Sequence, residues 1–172
     1  PRWTEEEIRE QNPWGTMGKT NDRKPNVITS LALQADEMEV INLRLQARYR
    51  EIEENEVRFE KIMCDDAEYL VVAFGISARI GQKAVELARQ EGYKVGLLRP
   101  ITLFPFPTVE ISKMADQVKG MLTVELSAGQ MVEDVRLAVN GRVPVEFYGR
   151  MGGIVPSPDE VLRALKEKVL GK

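Results

Sequence analysis

The sequence predicts a three-layer α/β/α sandwich with a mostly parallel sheet of four to five strands, preceded by an irregular arm (1–31) and a long amphipathic helix (32–63). Three observations lead there. From about residue 64 onward, short apolar runs alternate with helical stretches of about ten residues or more, a pattern that forces parallel pairing through crossover helices. Glycine and asparagine fall where those helices should stop, at Gly92 and at Asn140-Gly141. At the centre, the run from Tyr93 to Pro107 reads as a buried strand leading into a proline-bracketed turn, with a new helix opening beyond it. Val95, Leu97 and Leu98 supply the apolar strand, while Pro100, Pro105 and Pro107 each fix φ and remove a donor.

Taken in order, residues Pro1 to Ser30 show no sustained period and scatter Trp3, Trp14, Gly15, Gly18, Pro13 and Pro25 among polar residues. Two tryptophans in such an arm call for a surface to pack on. Met17-Gly18-Lys19-Thr20 invites a phosphate-loop reading, which fails because Pro13 stands where that motif needs glycine. From Ala32 to Met63, the residues Met38, Ile41, Leu45, Ile52, Phe59 and Ile62 form an apolar stripe at roughly helical spacing. Glu54 and Arg58 are spaced to pair across one turn.

Strand-then-helix units follow at 69–74 and 78–91, 94–98 and 108–118, 121–126 and 130–139, then 144–147 and 159–170. A further strand near Asn26 to Thr29 would make five.

Composition closes off several functions. The 172 residues suffice for one domain with a full core, and 43% hydrophobic with 30% charged residues is ordinary for a globular chain. A net charge of −3, without a dense Lys/Arg run, offers nothing to nucleic acid. No apolar run approaches the roughly 20 residues that span a bilayer, and no signal peptide opens the chain, so a cytoplasmic protein is expected. The single cysteine, Cys64, excludes an internal disulfide and a multi-cysteine metal site. The absence of histidine removes Ser-His-Asp and Cys-His catalysis and the usual zinc sites. Opening on Pro1 rather than Met, the chain reads as a piece of a larger whole.

In an open α/β sheet, ligands and partners dock at the carboxyl ends of the strands. That edge should carry Gly75 and Ser77, Arg99, Glu125 with Ser127, Gly129 and Gln130, and Gly149, Arg150, Gly152 and Gly153. Small, hydroxyl and charged residues at helix N-termini could hold an anion. The plainer reading, favoured here, is that the glycines serve only tight turns while Glu125 and Arg99 or Arg150 neutralise each other. Gly75-Ile76-Ser77-Ala78-Arg79-Ile80-Gly81 lacks the dinucleotide-binding spacing. Glu133 and Asp134 suit the positive end of a helix better than a catalytic pair. Cys64 reads as a small buried apolar group. No residue is assigned as catalytic, cofactor-binding or metal-ligating.

Three runs carry a resemblance: Arg99-Pro100-Ile101-Thr102-Leu103-Phe104-Pro105-Phe106-Pro107, the stretch from Val124 to Arg136, and Phe147-Tyr148-Gly149-Arg150-Met151-Gly152-Gly153. They resemble the α subunit of 2-oxoacid:ferredoxin oxidoreductases, the 2-oxoisovalerate type above others, in its C-terminal domain, which is like that of transketolase. The resemblance implies a whole enzyme that decarboxylates a 2-oxoacid oxidatively on thiamine diphosphate with Mg. Such an enzyme passes electrons through iron–sulfur clusters to ferredoxin and forms an acyl-CoA from coenzyme A. It implies a cytoplasmic multi-subunit complex. The partners would be the N-terminal domain of the same subunit, the other subunits and ferredoxin, with no nucleic acid and no membrane. The cofactor-activating and cluster-binding residues would lie outside residues 1–172, leaving this part inactive alone and engaged in assembly. An assembly domain should expose an apolar patch where its neighbour sits; a free-standing anion-binding domain should close a polar pocket around Arg99, Glu125 and Arg150.

Overall fold

The computed structural model describes residues 3–15, 18, 24–27 and 29–171. They fall into two compact units, Pro1–Arg44 and Leu45–Lys172.

In the first unit the arm is not wholly irregular. Helix α1, Glu5–Gln11, is fixed by a capping box: the Glu7 amide donates to Thr4 Oγ1 at 3.3 Å and the Thr4 amide donates to the Glu7 carboxylate at 2.7 Å. Each side chain satisfies a backbone donor that the first helical turn leaves without a partner. Trp3 and Trp14 are exposed, and the Trp14 carbonyl accepts from Asn26 Nδ2 at 2.6 Å. Of the phosphate-loop-like segment only Gly18 lies within the described residues. Asn26, Val27 and Thr29 belong to no strand, and Ile28 lies outside the described residues.

Helix α2, Ala35–Asn55, carries no buried residue and ends well short of the expected Met63. Asn55 turns back to donate to the Glu51 carbonyl at 2.7 Å, and Phe59–Ile62 then form strand β1. This corrects the single helix over 32–63 and supplies the fifth strand. The apolar stripe misleads here for a geometric reason. Residues three apart share a helical face but lie on opposite faces of a strand. Phe59 packs on one side of the sheet and Ile62 on the other. Arg58, now outside the helix, pairs with Glu56 at 2.9 Å rather than with Glu54.

The sheet comprises β1, β2 (Tyr69–Ala73), β3 (Val95–Pro100), β4 (Met121–Glu125) and β5 (Val145–Gly149), in the order β1-β3-β2-β4-β5. Only β1 runs antiparallel, with Phe59 opposite Pro100 and Ile62 opposite Leu97. The other pairs are parallel. Helices α3 (Gly75–Gln90) and α6 (Pro158–Leu165) cover one face, the latter running on into a π-helical turn, Lys166–Leu170. Helices α4 (Thr108–Gln117) and α5 (Met131–Val139) cover the other. The segment Gly75–Ser77, expected as a separate turn, is the first turn of α3.

Sequence pattern becomes packing directly. Leu70, Val71, Val72, Leu97, Leu98 and Leu122 are fully buried between the helical layers. Each side chain of this size contributes about 1.5–3 kcal/mol when taken out of water. Gly96 permits a close approach at the sheet edge, since a Cβ there would meet the Met63 carbonyl at 2.9 Å and Cys64 Sγ at 3.0 Å. Cys64, in the turn after β1 rather than at a helix end, is buried, and its thiol donates to the Leu97 carbonyl at 3.3 Å. Burial pushes that thiol up from its ordinary pKa. Its alkylation by iodoacetamide at mildly alkaline pH is therefore expected to be many-fold slower in the native chain than in the unfolded one; equal rates would contradict this packing.

One hydroxyl in the core is left over. Thr123 lies in the middle of β4, fully buried, and its Oγ1 has no partner. An orphaned buried hydroxyl costs about 1–3 kcal/mol. Thr123→Val is expected to raise the thermal midpoint by about 2–4 °C for each kcal/mol recovered. A fall in the midpoint on calorimetry would show that the hydroxyl is satisfied.

Candidate functional site

The strand order turns the chain around at one place. From β2 the chain crosses to β3 on one side, then returns past β2 to β4 on the other. The carboxyl ends of β2 and β4 therefore flank the topological switch point, the crevice where open α/β sheets bind ligands. Gly75 and Ser77 lie at the end of β2; Glu125, Ser127, Gly129 and Gln130 lie at the end of β4.

On the β4 side the protein supplies its own anion. Glu125 is 2% exposed, and its carboxylate reaches into the N-terminal turn of α5. The Met131 and Val132 amides donate to it at 2.9 Å each, and the Gln130 amide at 3.2 Å. The Ser127 hydroxyl donates to it at 3.1 Å and accepts from the Gly129 amide at 3.1 Å. The amides that could cradle an anion at this helix are thus satisfied by an internal one. Neither arginine contributes to this arrangement.

Arg99, at the end of β3, pairs with Glu60 across from it on β1 at 3.1 Å. Arg150, just past β5, pairs with Glu160 at 2.6 Å. The Ser157 amide and, after it, Arg150 hold the Glu160 carboxyl below the usual carboxylate range. Between β3 and β5 lie three strand spacings, about 14 Å. Arg99, Glu125 and Arg150 share an edge but form no common site, which corrects both the polar pocket and the mutual neutralisation expected of them. Gly149 has a packing role: a Cβ there would run into the Ser127 carbonyl and the Phe147 ring. Gly152 and Gly153 take positive φ of 68° and 84° in an open loop.

What the edge presents to solvent is apolar. Ile76 follows β2, Leu103 and Phe104 follow β3, Leu126 follows β4, and Met151, Ile154 and Val155 follow β5; all are 40–59% exposed. Sequence periodicity passed over them because turns have no period. Their one signal is large apolar residues set among glycines and prolines, where polar ones usually stand.

The proline turn is organised from beneath. Pro105 and Pro107 are buried, and the Phe104–Pro105 bond is cis. Thr102 Oγ1 donates to the Pro105 carbonyl at 2.8 Å, and the Ile101 amide donates to the Arg58 carbonyl at 2.9 Å. Tyr49 meets the Phe104 ring edge-to-face at 5.9 Å. Among the described residues, no helix is long and apolar enough to cross a membrane, and no group of three or more acidic or cysteine side chains could hold a metal ion.

Fold and edge together define a doubly wound α/β domain whose ligand crevice holds a carboxylate of its own on the β4 side and whose loops offer apolar surface. The family model described as pyruvate:ferredoxin oxidoreductase core domain II matches residues 67–161, more than half of the chain, and the chain belongs to that family. It is 47% identical over 168 residues to the ketoisovalerate oxidoreductase subunit VorB of Methanothermobacter thermautotrophicus, covering 96% of this chain and 47% of that protein. It is 35% identical over 109 residues to the 2-oxoglutarate synthase subunit KorA of Methanothermobacter marburgensis, covering 63% of this chain and 29% of that protein. The chain thus spans about half the length of the VorB relatives it matches or less of the others.

The fold is also that of part of a 2-oxoglutarate:ferredoxin oxidoreductase from Magnetococcus marinus, solved with 2-oxoglutarate, coenzyme A and succinyl-CoA bound. That match has a TM-score of 0.64 at 16% identity and covers 83% of this chain and 24% of that one. A split-gene transketolase, described as an inactive beta4 tetramer, matches with a TM-score of 0.56 at 16% identity over 66% of this chain and 41% of that one. The transketolase-like sandwich expected from the sequence is therefore the fold found.

The buried carboxylate and the surface arginine give contrasting expectations. Glu125→Gln keeps the shape but removes the charge its amide donors face, and is expected to cost about 2–3 kcal/mol in urea unfolding. Arg99→Ala breaks a pair that is roughly half exposed and should cost no more than about 1 kcal/mol. Equal losses would mean that Glu125 does not anchor α5.

Proposed function

We propose that the chain is the non-catalytic assembly domain, C-terminal in its subunit, of a 2-oxoacid:ferredoxin oxidoreductase α subunit of the branched-chain type. The whole enzyme would convert a 2-oxoacid and coenzyme A to acyl-CoA, passing electrons to ferredoxin, as a cytoplasmic multi-subunit complex. The observation that carries this reading is the set of exposed apolar side chains on the first turn of α3 and on three loops at one edge of the sheet. A surface of that kind is costly in water and marks a place where another protein surface belongs.

The chemistry of the chain's own residues agrees. Thiamine diphosphate with its Mg and an iron–sulfur cluster do not fit the groups present here. The one cysteine, Cys64, is buried with its thiol donating to backbone, whereas a cluster needs several thiolates. Of the two helix N-termini at the switch point, that of α5 holds Glu125 rather than offering its amides to a diphosphate. Those groups would belong to the N-terminal domain of the same subunit or to other subunits, and residues 1–172 alone would be inactive.

The test is made in the co-expressed multi-subunit enzyme that contains this sequence. Met151→Asp combined with Ile154→Asp alters exposed loop residues only, so the domain's own thermal midpoint should hold. The complex is expected to separate on size exclusion and to lose 2-oxoacid-dependent dye reduction. An intact, active complex carrying both substitutions would refute the reading.

A further inference from the structure

At one corner of the carboxyl edge, the last turns of α2, the proline turn and the first turns of α4 and α5 enclose a groove of about 690 Å³. Its apolar lining includes Val57, Phe59, Leu103, Phe106 and Val109. Four carboxylates and one lysine stand around it, and they are unevenly paired. Glu110 is taken: Lys61 Nζ donates to it at 2.7 Å and Lys113 lies 3.6 Å away, and the Lys61 bond holds its carboxyl below the usual range. Glu53, Glu54 and Asp134 also line the groove and, among the described residues, have no cationic partner.

Glu53 and Glu54 are, besides, in the wrong place for the helix that carries them. The C-terminal end of a helix is its negative pole, which favours cations, yet the last turn of α2 contains no basic residue. Two carboxylates and a helix pole of the same sign thus face an apolar trough, an arrangement that costs the isolated chain stability. A cation brought in by something seated in the groove would relieve it.

We propose that this groove docks a segment of a separate polypeptide in which apolar side chains are flanked by lysine or arginine. The apolar side chains would cover Phe59, Phe106 and Leu103, and the cations would meet Glu53, Glu54 and Asp134. This rests on the reading of the carboxyl edge as an assembly surface, and adds the charge of the partner.

The test uses the full chain and a fluorescein-labelled synthetic peptide with two phenylalanines flanked by lysines, followed by anisotropy. Controls replace the lysines by glutamate or the phenylalanines by serine. The basic peptide is expected to bind in preference to both controls, and more weakly at high salt. The triple variant Glu53→Gln, Glu54→Gln, Asp134→Asn should weaken it about tenfold, the loss of two or three exposed ion pairs. Val109→Ser, in an exposed position, tests the apolar lining separately and should weaken binding of the phenylalanine-bearing basic peptide while leaving the serine control and the salt dependence unchanged.

Equal binding of basic and acidic peptides, no binding, or binding unmoved by the triple variant would overturn the proposal. So would self-association of the chain that the peptide fails to displace, which would assign the groove to a second copy. If the peptide fails while the Met151 and Ile154 substitutions still break the complex, the assembly reading stands and only the partner's chemistry is wrong.

Discussion

The structure turns on one carboxylate. Glu125 ends the interior strand β4 with its carboxylate out of water, a position that would be prohibitive for an unsolvated ion. It is tolerable because backbone amides at the start of α5 and the Ser127 hydroxyl take the place of solvent. The same bonds set the direction in which α5 leaves the sheet. They hold the Ser127 loop against β5, where Gly149 leaves room for it. Strand, helix and neighbouring strand are thus tied at a single point, and the β4 side of the crevice a doubly wound sheet ordinarily offers to a ligand becomes part of the scaffold.

Much of this fold was legible in the sequence for reasons that can be named. Strands buried on both faces read as unbroken apolar runs, and β2, β3 and β4 do so. Asn140 stops α5 in the left-handed conformation expected of it, with φ of 51°. The junction before the sheet was harder. Phe59 and Ile62 fit a helical stripe as well as a strand, and tertiary pairing with β3 decided between the two. Helix α1 was readable and passed over, since Thr4-Glu5-Glu6-Glu7 spells the capping box that the structure forms.

The carboxyl edge was legible as a place in the fold but not in its contacts. The sequence placed Gly75, Arg99, Glu125, Gln130 and Arg150 at one edge, as found. Which charge meets which is a matter of distance across strands, and one-dimensional spacing does not contain it. Glu60 became the partner of Arg99 only because β1 is a strand. Glu160 became the partner of Arg150 through the capping box that Ser157 opens at the start of α6. The apolar loop residues carry no repeating pattern at all, so only their exposure in the folded chain sets them apart.

Apolar loops are not the only surface of this domain open to unwanted contact; its sheet edge could also pair with a neighbour's. Strand β1 guards against this on its side. It is four residues long, and its two middle residues, Glu60 and Lys61, are exposed and oppositely charged. Short length and charge at an edge discourage the strand-by-strand growth that leads to aggregation. The strand that completes the sheet therefore also makes the backbone edge a quiet one, and leaves contact with other molecules to the side chains of the loops.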